Sequence, residues 1–235
     1  MTFPEDRAAL EFYLNFAARF GAQAQPVSAT DPQPESIAGF AGLLLTGGGD
    51  VDPSLYGDET KHEKTYGVIR ARDEMELNLI PKFIDAGKPI VGICRGLQIL
   101  TVFFGGRLHQ HIPDVLDEAT ERHSKPKGYD CFHGVVFDSS THLGAALRGV
   151  PETNSAHHQA LNTDTMPKHL RIAARSLCGI VEAVECFDFA APIIAVQWHP
   201  ERLPADHPAA ARLAEFLREA VNFQSLENNA DGRFQ

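Results

Sequence analysis

The chain lacks most marks of a secreted, membrane-spanning or nucleic-acid-binding protein. It holds only four cysteines, Cys94, Cys131, Cys178 and Cys186. No two form a C-x-x-C pair, and their wide spacing is not that of a small disulfide-stapled domain. A reduced, cytoplasmic setting is therefore expected. Long apolar runs are missing as well; a stretch such as Pro192 to Trp198 is far too short to cross a bilayer. The opening residues, Met1-Thr-Phe-Pro-Glu-Asp-Arg, contain no apolar h-region, so no signal peptide is expected. Positive charge is scarce. The formal net charge of −10 disfavours nucleic acid and anionic membranes as partners. Neither an internal repeat nor a low-complexity block is present.

What remains is a chain of 235 residues with ordinary globular composition, long enough to bury a substantial core as a single domain. Apolar residues recur at helical spacing from Asp6 to Phe20, with Gly21 as a stop. Ala41 to Thr46 reads as a buried strand ending at three glycines. Val51 to Arg70, interrupted by Pro53, Gly57 and Gly67, reads as a long surface loop of the kind that serves a site. Ala71 to Ala86 is helical in pattern, Lys88 to Cys94 a strand, and Arg95 to Phe104 a helix closed by two glycines. Strand-like runs follow at Arg107 to Ile112, Phe132 to Phe137, Leu170 to Ala174, Ile180 to Cys186 and Pro192 to Trp198. Pro208 to Phe223 closes the domain as a helix, and residues 224–235 read as a polar, frayed tail. Strands alternating with helices imply an α/β fold with a mostly parallel central sheet flanked by helices, and the later strands imply antiparallel additions.

The most informative segment is Gly92-Ile-Cys94-Arg-Gly96, where a strand runs directly into a helix. It is the cysteine counterpart of the G-x-S-x-G nucleophile elbow. Small residues two positions either side relieve a tight turn. The sulfur then sits at a helix N-terminus, where free N–H groups and the dipole favour a thiolate. A lone cysteine more often simply packs; the strand-to-helix context argues for catalysis.

These residues, with Leu97-Gln98 and the downstream Val196-Gln-Trp-His199-Pro-Glu201, resemble the class I glutamine amidotransferase-like family. Leu45-Thr-Gly-Gly-Gly-Asp50, Arg72-Asp73-x-x-Glu76 and Asn154-Ser-Ala-His-His-Gln159 narrow the resemblance to the peptidase C26 branch, which includes γ-glutamyl-γ-aminobutyrate hydrolases. The resemblance runs from about the first helix to the last. It implies a flavodoxin-like class I amidotransferase fold and a Cys94–His199–Glu201 triad. Pro200 stops the strand after His199, which leaves His199 and Glu201 at a strand end. A carboxylate beside the imidazole fixes its tautomer and stabilises the imidazolium. By resemblance, Gly48 and Arg95 supply oxyanion N–H groups, and Gln98, Ser155, His157, His158 and Gln159 hold the glutamyl head group. Structural hydrogen bonding is the competing reading for the two histidines. Arg72, Asp73 and Glu76 share a helix face, and a supporting role is favoured for them. Relatives begin with an apolar strand before the first helix; here only Met1-Thr-Phe-Pro4 precedes it, so that strand is either missing or cut short by a late start.

The expected activity is cysteine-dependent hydrolysis of a γ-glutamyl amide, a small-molecule substrate, with no cofactor. Two alternatives stand beside it: a glutaminase unit feeding ammonia to a separate synthase, and an inactive binding protein on the same scaffold. The histidines His109, His111, His123, His133 and His142 invite a metal, and His109-x-His111 in a strand would project to one face, but no third ligand stands at a recognisable spacing and a metal would poison a free thiolate, so none is expected. The identity of the leaving amine is not legible, and a homo-oligomer is left open.

Overall fold

The computed structural model describes residues 1–3, 6–34, 36–116, 123 and 130–230, with side chains to residue 220. Helix α1 (Arg7–Arg19) is started by Asp6, whose carboxylate accepts from the Ala8 N–H at 2.8 Å. It buries Tyr13, Phe16 and Ala17. Three short strands follow its line of packing: β1 (Leu43–Leu45), β2 (Ile90–Ile93) and β9 (Ile193–Val196). Every residue in them is buried, as strands covered on both faces must be. Between β1 and β2 lies α2 (Arg70–Asp85), and α3 (Arg95–Phe103) leaves directly from the end of β2.

β1, β2 and β9 pair in parallel. From β9 outward the seven-stranded sheet continues antiparallel through β8 (Val181–Cys186), β7 (Arg171–Ser176), β4 (Cys131–Phe137) and β5 (Glu152–Ser155). The antiparallel additions expected from the later strand-like runs thus extend across the far half of the sheet. A two-stranded ribbon joins β3 (Leu108–His109) to β6 (Ala160–Leu161). The strand expected over Arg107 to Ile112 is only these two residues, because Ile112 already opens a 3-10 turn with Pro113.

One apolar cluster on the sheet gathers α1, a short helix α4 (His142–Ala146) and α5 (Pro208–Ala230). The other gathers α2 and α3. Helix α5 runs seven residues beyond the expected stop at Phe223, since Gln224 to Ala230 contains no glycine or proline to end it. The last five residues of the supposed tail lie outside the described region. In place of a full opening strand, Thr2 donates its N–H to the Leu44 oxygen at 2.9 Å and bridges to Val27. Among the described residues, no helix is long and apolar enough to cross a membrane.

Candidate active site

Cys94 stands between β2 and α3 with φ +52°, the one non-glycine residue at positive φ among those described. Such backbone is costly for an L-residue and survives only where its surroundings enforce it. Its N–H donates to the Val196 oxygen at 2.8 Å, which ties the elbow to β9. The flanking glycines are sterically required. A Cβ on Gly96 would lie 2.3 Å from the Leu45 oxygen, and one on Gly92 would lie 2.8 Å from the Gly96 backbone.

Because β9 lies beside β2, the residues that follow it arrive next to the elbow. His199 Nδ1 is 2.7 Å from Glu201 Oε1, and both side chains are almost fully buried. Burial pulls the imidazole's pKa down, but the Glu201 carboxylate and the nearby Cys94 sulfur outweigh it and push it up to about 9. At neutral pH the imidazole is therefore held as its cation beside the sulfur. Asn154 grips the backbone of His199 from both sides: its Nδ2 donates to the His199 oxygen at 3.0 Å, and its Oδ1 accepts from the His199 N–H at 3.2 Å.

The expected oxyanion donors sit on the two segments that flank the elbow. Gly48 is exposed after β1, and Arg95 opens α3; among the described residues neither N–H has a backbone acceptor. They are held by a buried four-charge network. The Arg95 guanidinium pairs with Asp73 and Glu76. Arg72 Nε donates to Glu76 at 3.0 Å, and its Nη2 donates to the Thr46 and Gly47 oxygens at 2.9 and 3.1 Å. The helix face read as supporting thus clamps the glycine loop to the start of α3. Burial lifts the Asp73 pKa, whereas for Glu76 burial is outweighed by Arg95 and Arg72, which hold it below the usual range.

The proposed head-group residues divide. Gln98 is buried, with Nε2 3.5 Å from the Gln159 oxygen and 3.4 Å from Gln197 Oε1. Gln159 Nε2 donates to the Gln110 oxygen at 3.2 Å, and its Oε1 has no protein partner. His158 packs against the glycine loop, with Nε2 3.1 Å from Asp50, its ring stacked on Tyr66 at 5.3 Å and its Nδ1 3.3 Å from His111 Nδ1. A cleft of about 350 Å³, lined by Asp58, His62, Arg107, His111 and Asp114, adjoins it through His111. Ser155 and His157 have interior partners as well. Ser155 ends β5, and its Oγ donates to the His123 oxygen at 2.9 Å; His157, two residues on, turns to the same interior side and meets Glu182. His157 also stays with the glutamines: its Nδ1 donates to the Gln159 oxygen at 2.9 Å, the same oxygen that Gln98 Nε2 approaches.

Three contributors escaped the sequence reading. Gln197 Nε2 lies 3.5 Å from Cys94 Sγ. Asn154, quoted in a motif without a role, is the His199 clamp. Tyr13, legible only as part of an apolar helix stripe, accepts the Gly47 N–H at 3.0 Å, and burial raises its phenol well above the ordinary pKa, which keeps it neutral. The spacing argument about a metal rests on His109 and His111 as a strand pair. His109 and His111 do not share a strand, but the fold gathers His123, His133, His157 and Glu182 from four distant segments, with ligand atoms all within 4.8 Å. Sequence spacing cannot register such a set.

The Peptidase C26 family pattern matches residues 6–201. The chain is 36% identical over 173 residues to the "Putative glutamine amidotransferase Rv2859c" of Mycobacterium tuberculosis, covering 72% of this chain and 54% of that protein, so it spans about half of that relative's length. It is 33% identical over 172 residues to the gamma-glutamyl-gamma-aminobutyrate hydrolase PuuD of Escherichia coli, covering 68% of this chain and 63% of the relative. In structure it is similar to a glutamine amidotransferase from Methylobacillus flagellatus, with a TM-score of 0.54 and 20% identity over 82% of this chain and 65% of that one. Elbow, strand order and matched span agree, and the chain belongs to the Peptidase C26 family, on the class I glutamine amidotransferase-like fold.

Proposed function

We propose that the protein hydrolyses the side-chain amide of a γ-glutamyl compound through a thioester on Cys94. The observation that carries this reading is a cysteine held at positive φ at the head of α3, with the His199 imidazole close by across Gly47 and itself 2.7 Å from Glu201. The Cys94 thiolate attacks the γ-carbonyl carbon, and the oxyanion lies between the Gly48 and Arg95 N–H groups. The His199 cation gives its proton to the departing amine as the C–N bond breaks. Neutral His199 then takes a proton from water, whose oxygen attacks the thioester. Release of glutamate restores thiolate and imidazolium. In this reading Gln98, Gln159 and His158 meet the head group, and Gln159 Oε1, which has no protein partner, accepts from its ammonium. The site belongs to a cytoplasmic enzyme in this reading, which fits four cysteines without a disulfide among them.

The PuuD relative favours a γ-glutamyl-GABA-like substrate. The M. tuberculosis relative's name favours a second reading, a glutaminase that passes ammonia to a separate synthase. A panel of γ-glutamyl amides, read by kcat/KM beside ammonia release from glutamine, separates the two. Cys94→Ala abolishes turnover of every substrate while the fold persists; a fully active Cys94→Ala protein would end both readings, and with them the thioester.

A further inference from the structure

Beside the triad lies a second cluster that this chemistry does not use. His133 on β4, Glu182 on β8, His157 after β5 and His123 are all buried. Three imidazole nitrogens converge on a single carboxylate oxygen. Glu182 Oε1 is 3.2 Å from His133 Nε2, 3.4 Å from His123 Nδ1 and 3.6 Å from His157 Nε2. His123 Nδ1 and His157 Nε2 are 3.4 Å apart.

The opposite ring nitrogens are each already engaged. His157 Nδ1 donates to the Gln159 oxygen at 2.9 Å, His133 Nδ1 to the Gly134 oxygen at 3.2 Å, and His123 Nε2 lies 3.1 Å from the Cys178 sulfur. With two of those N–H groups spent on carbonyls, His157 Nε2 and His133 Nε2 of the neutral rings present lone pairs inward, as does His123 Nδ1 in the tautomer that donates to Cys178, and as does the carboxylate. Both Glu182 oxygens and His133 Nε2 lack an aligned hydrogen-bond partner although no solvent reaches them. Buried acceptors facing acceptors are unfavourable unless a positive charge sits between them. A proton can bridge one such pair, but it cannot serve three nitrogens aimed at one oxygen.

The geometry points to a tetrahedral His3Glu site for a divalent transition ion, Zn²⁺ foremost. A tetrahedron with metal–ligand bonds of about 2.05 Å has edges of about 3.3 Å. The four separations of 3.2 to 3.6 Å fall on that edge length, and the remaining pairs are within 4.8 Å. Donation of each outer ring nitrogen to a carbonyl or sulfur is the arrangement that orients metal-bound histidines. Four protein ligands close the coordination sphere, so the ion is structural and does not activate water. It staples β4, β8 and the Asn154–Gln159 segment together, and Asn154 in turn holds His199.

The test uses tag-free, full-length Cys94→Ala protein, so that the catalytic sulfur cannot contribute a ligand. The protein is stripped with a chelator and titrated with Co²⁺, then with Zn²⁺. One equivalent of Co²⁺ is expected to give visible d–d bands of tetrahedral intensity, which Zn²⁺ then displaces, and Zn²⁺ is expected to raise the thermal midpoint. Glu182→Gln and His133→Gln each lower Co²⁺ affinity by more than the roughly 100-fold typical of losing an outer-shell partner. Absence of a stoichiometric Co²⁺ spectrum in the folded, stripped protein overturns the assignment. So does affinity unchanged in either variant, or a spectrum that is not tetrahedral. Should a variant fail to fold, X-ray absorption of the Zn²⁺-loaded parent decides, with three imidazoles and one carboxylate expected and any thiolate sulfur in the shell overturning it.

Discussion

Replacing Glu201 by Gln isolates the electrostatic half of the triad. Gln keeps the size of the side chain and an oxygen able to accept the His199 Nδ1–H now 2.7 Å away, but removes the charge. His199 is fully enclosed, its pKa raised from 6.5 to about 9. A group whose pKa is higher folded than unfolded stabilises the fold fully below the unfolded value and loses that contribution as pH rises through the folded one. The wild-type protein should therefore lose stability between pH 6.5 and about 9, by about 3 kcal/mol at 1.36 kcal/mol per pH. In Glu201→Gln burial is opposed only by the sulfur, so most of that slope should vanish and the imidazole should be largely neutral at pH 7.5. Urea unfolding at intervals across this window, with the His199 ring followed by NMR, measures both. The kcat/KM of the variant should fall by roughly 10²–10⁴, the range that proton transfer by a positioned side chain supplies. Parallel stability profiles for the two proteins, with an unmoved His199 titration, would refute the argument that the carboxylate holds the imidazole's charge.

Other perturbations probe the frame around the triad. Gly96→Ala puts a Cβ 2.3 Å from the Leu45 oxygen, a backbone atom that cannot swing away, so a loss at or above the ~1–3 kcal/mol of ordinary overpacking is expected in denaturant unfolding. Arg72→Met leaves Glu76 with one guanidinium instead of two and frees the Thr46–Gly47 carbonyls. About 3–5 kcal/mol of stability should disappear, and kcat should fall more than KM rises, because the oxyanion loop loosens. Asn154→Ala removes both hydrogen bonds to the His199 backbone and should cost about 1–3 kcal/mol, with a drop in kcat/KM larger than that stability loss alone would bring at assay temperature.

The elbow and the His-Pro-Glu turn could be read in one dimension because their constraints are local. Two glycines around a cysteine, set between an apolar strand and a helix, admit few backbones, and a histidine two residues from a glutamate needs only a short turn to meet it. Helix α1, the buried strands and α3 were legible for the same reason: burial imposes a period on neighbouring residues. Where α5 ends was not, since Gln224 to Ala230 carries no stop signal and polarity alone does not break a helix. That Ser155 and His157 reach His123 and Glu182 depends on how β5 pairs with β4, a matter of register across 24 residues of chain. The same holds for Tyr13 beneath Gly47, Asn154 behind His199, and the gathering of His123, His133, His157 and Glu182. Each joins side chains far apart along the chain, and nothing in local composition encodes such a meeting. The sequence determined which cysteine stands at the elbow and how it is presented; the order of strands in the sheet decided what surrounds it, because only packing in three dimensions brings distant polar groups into one dry space.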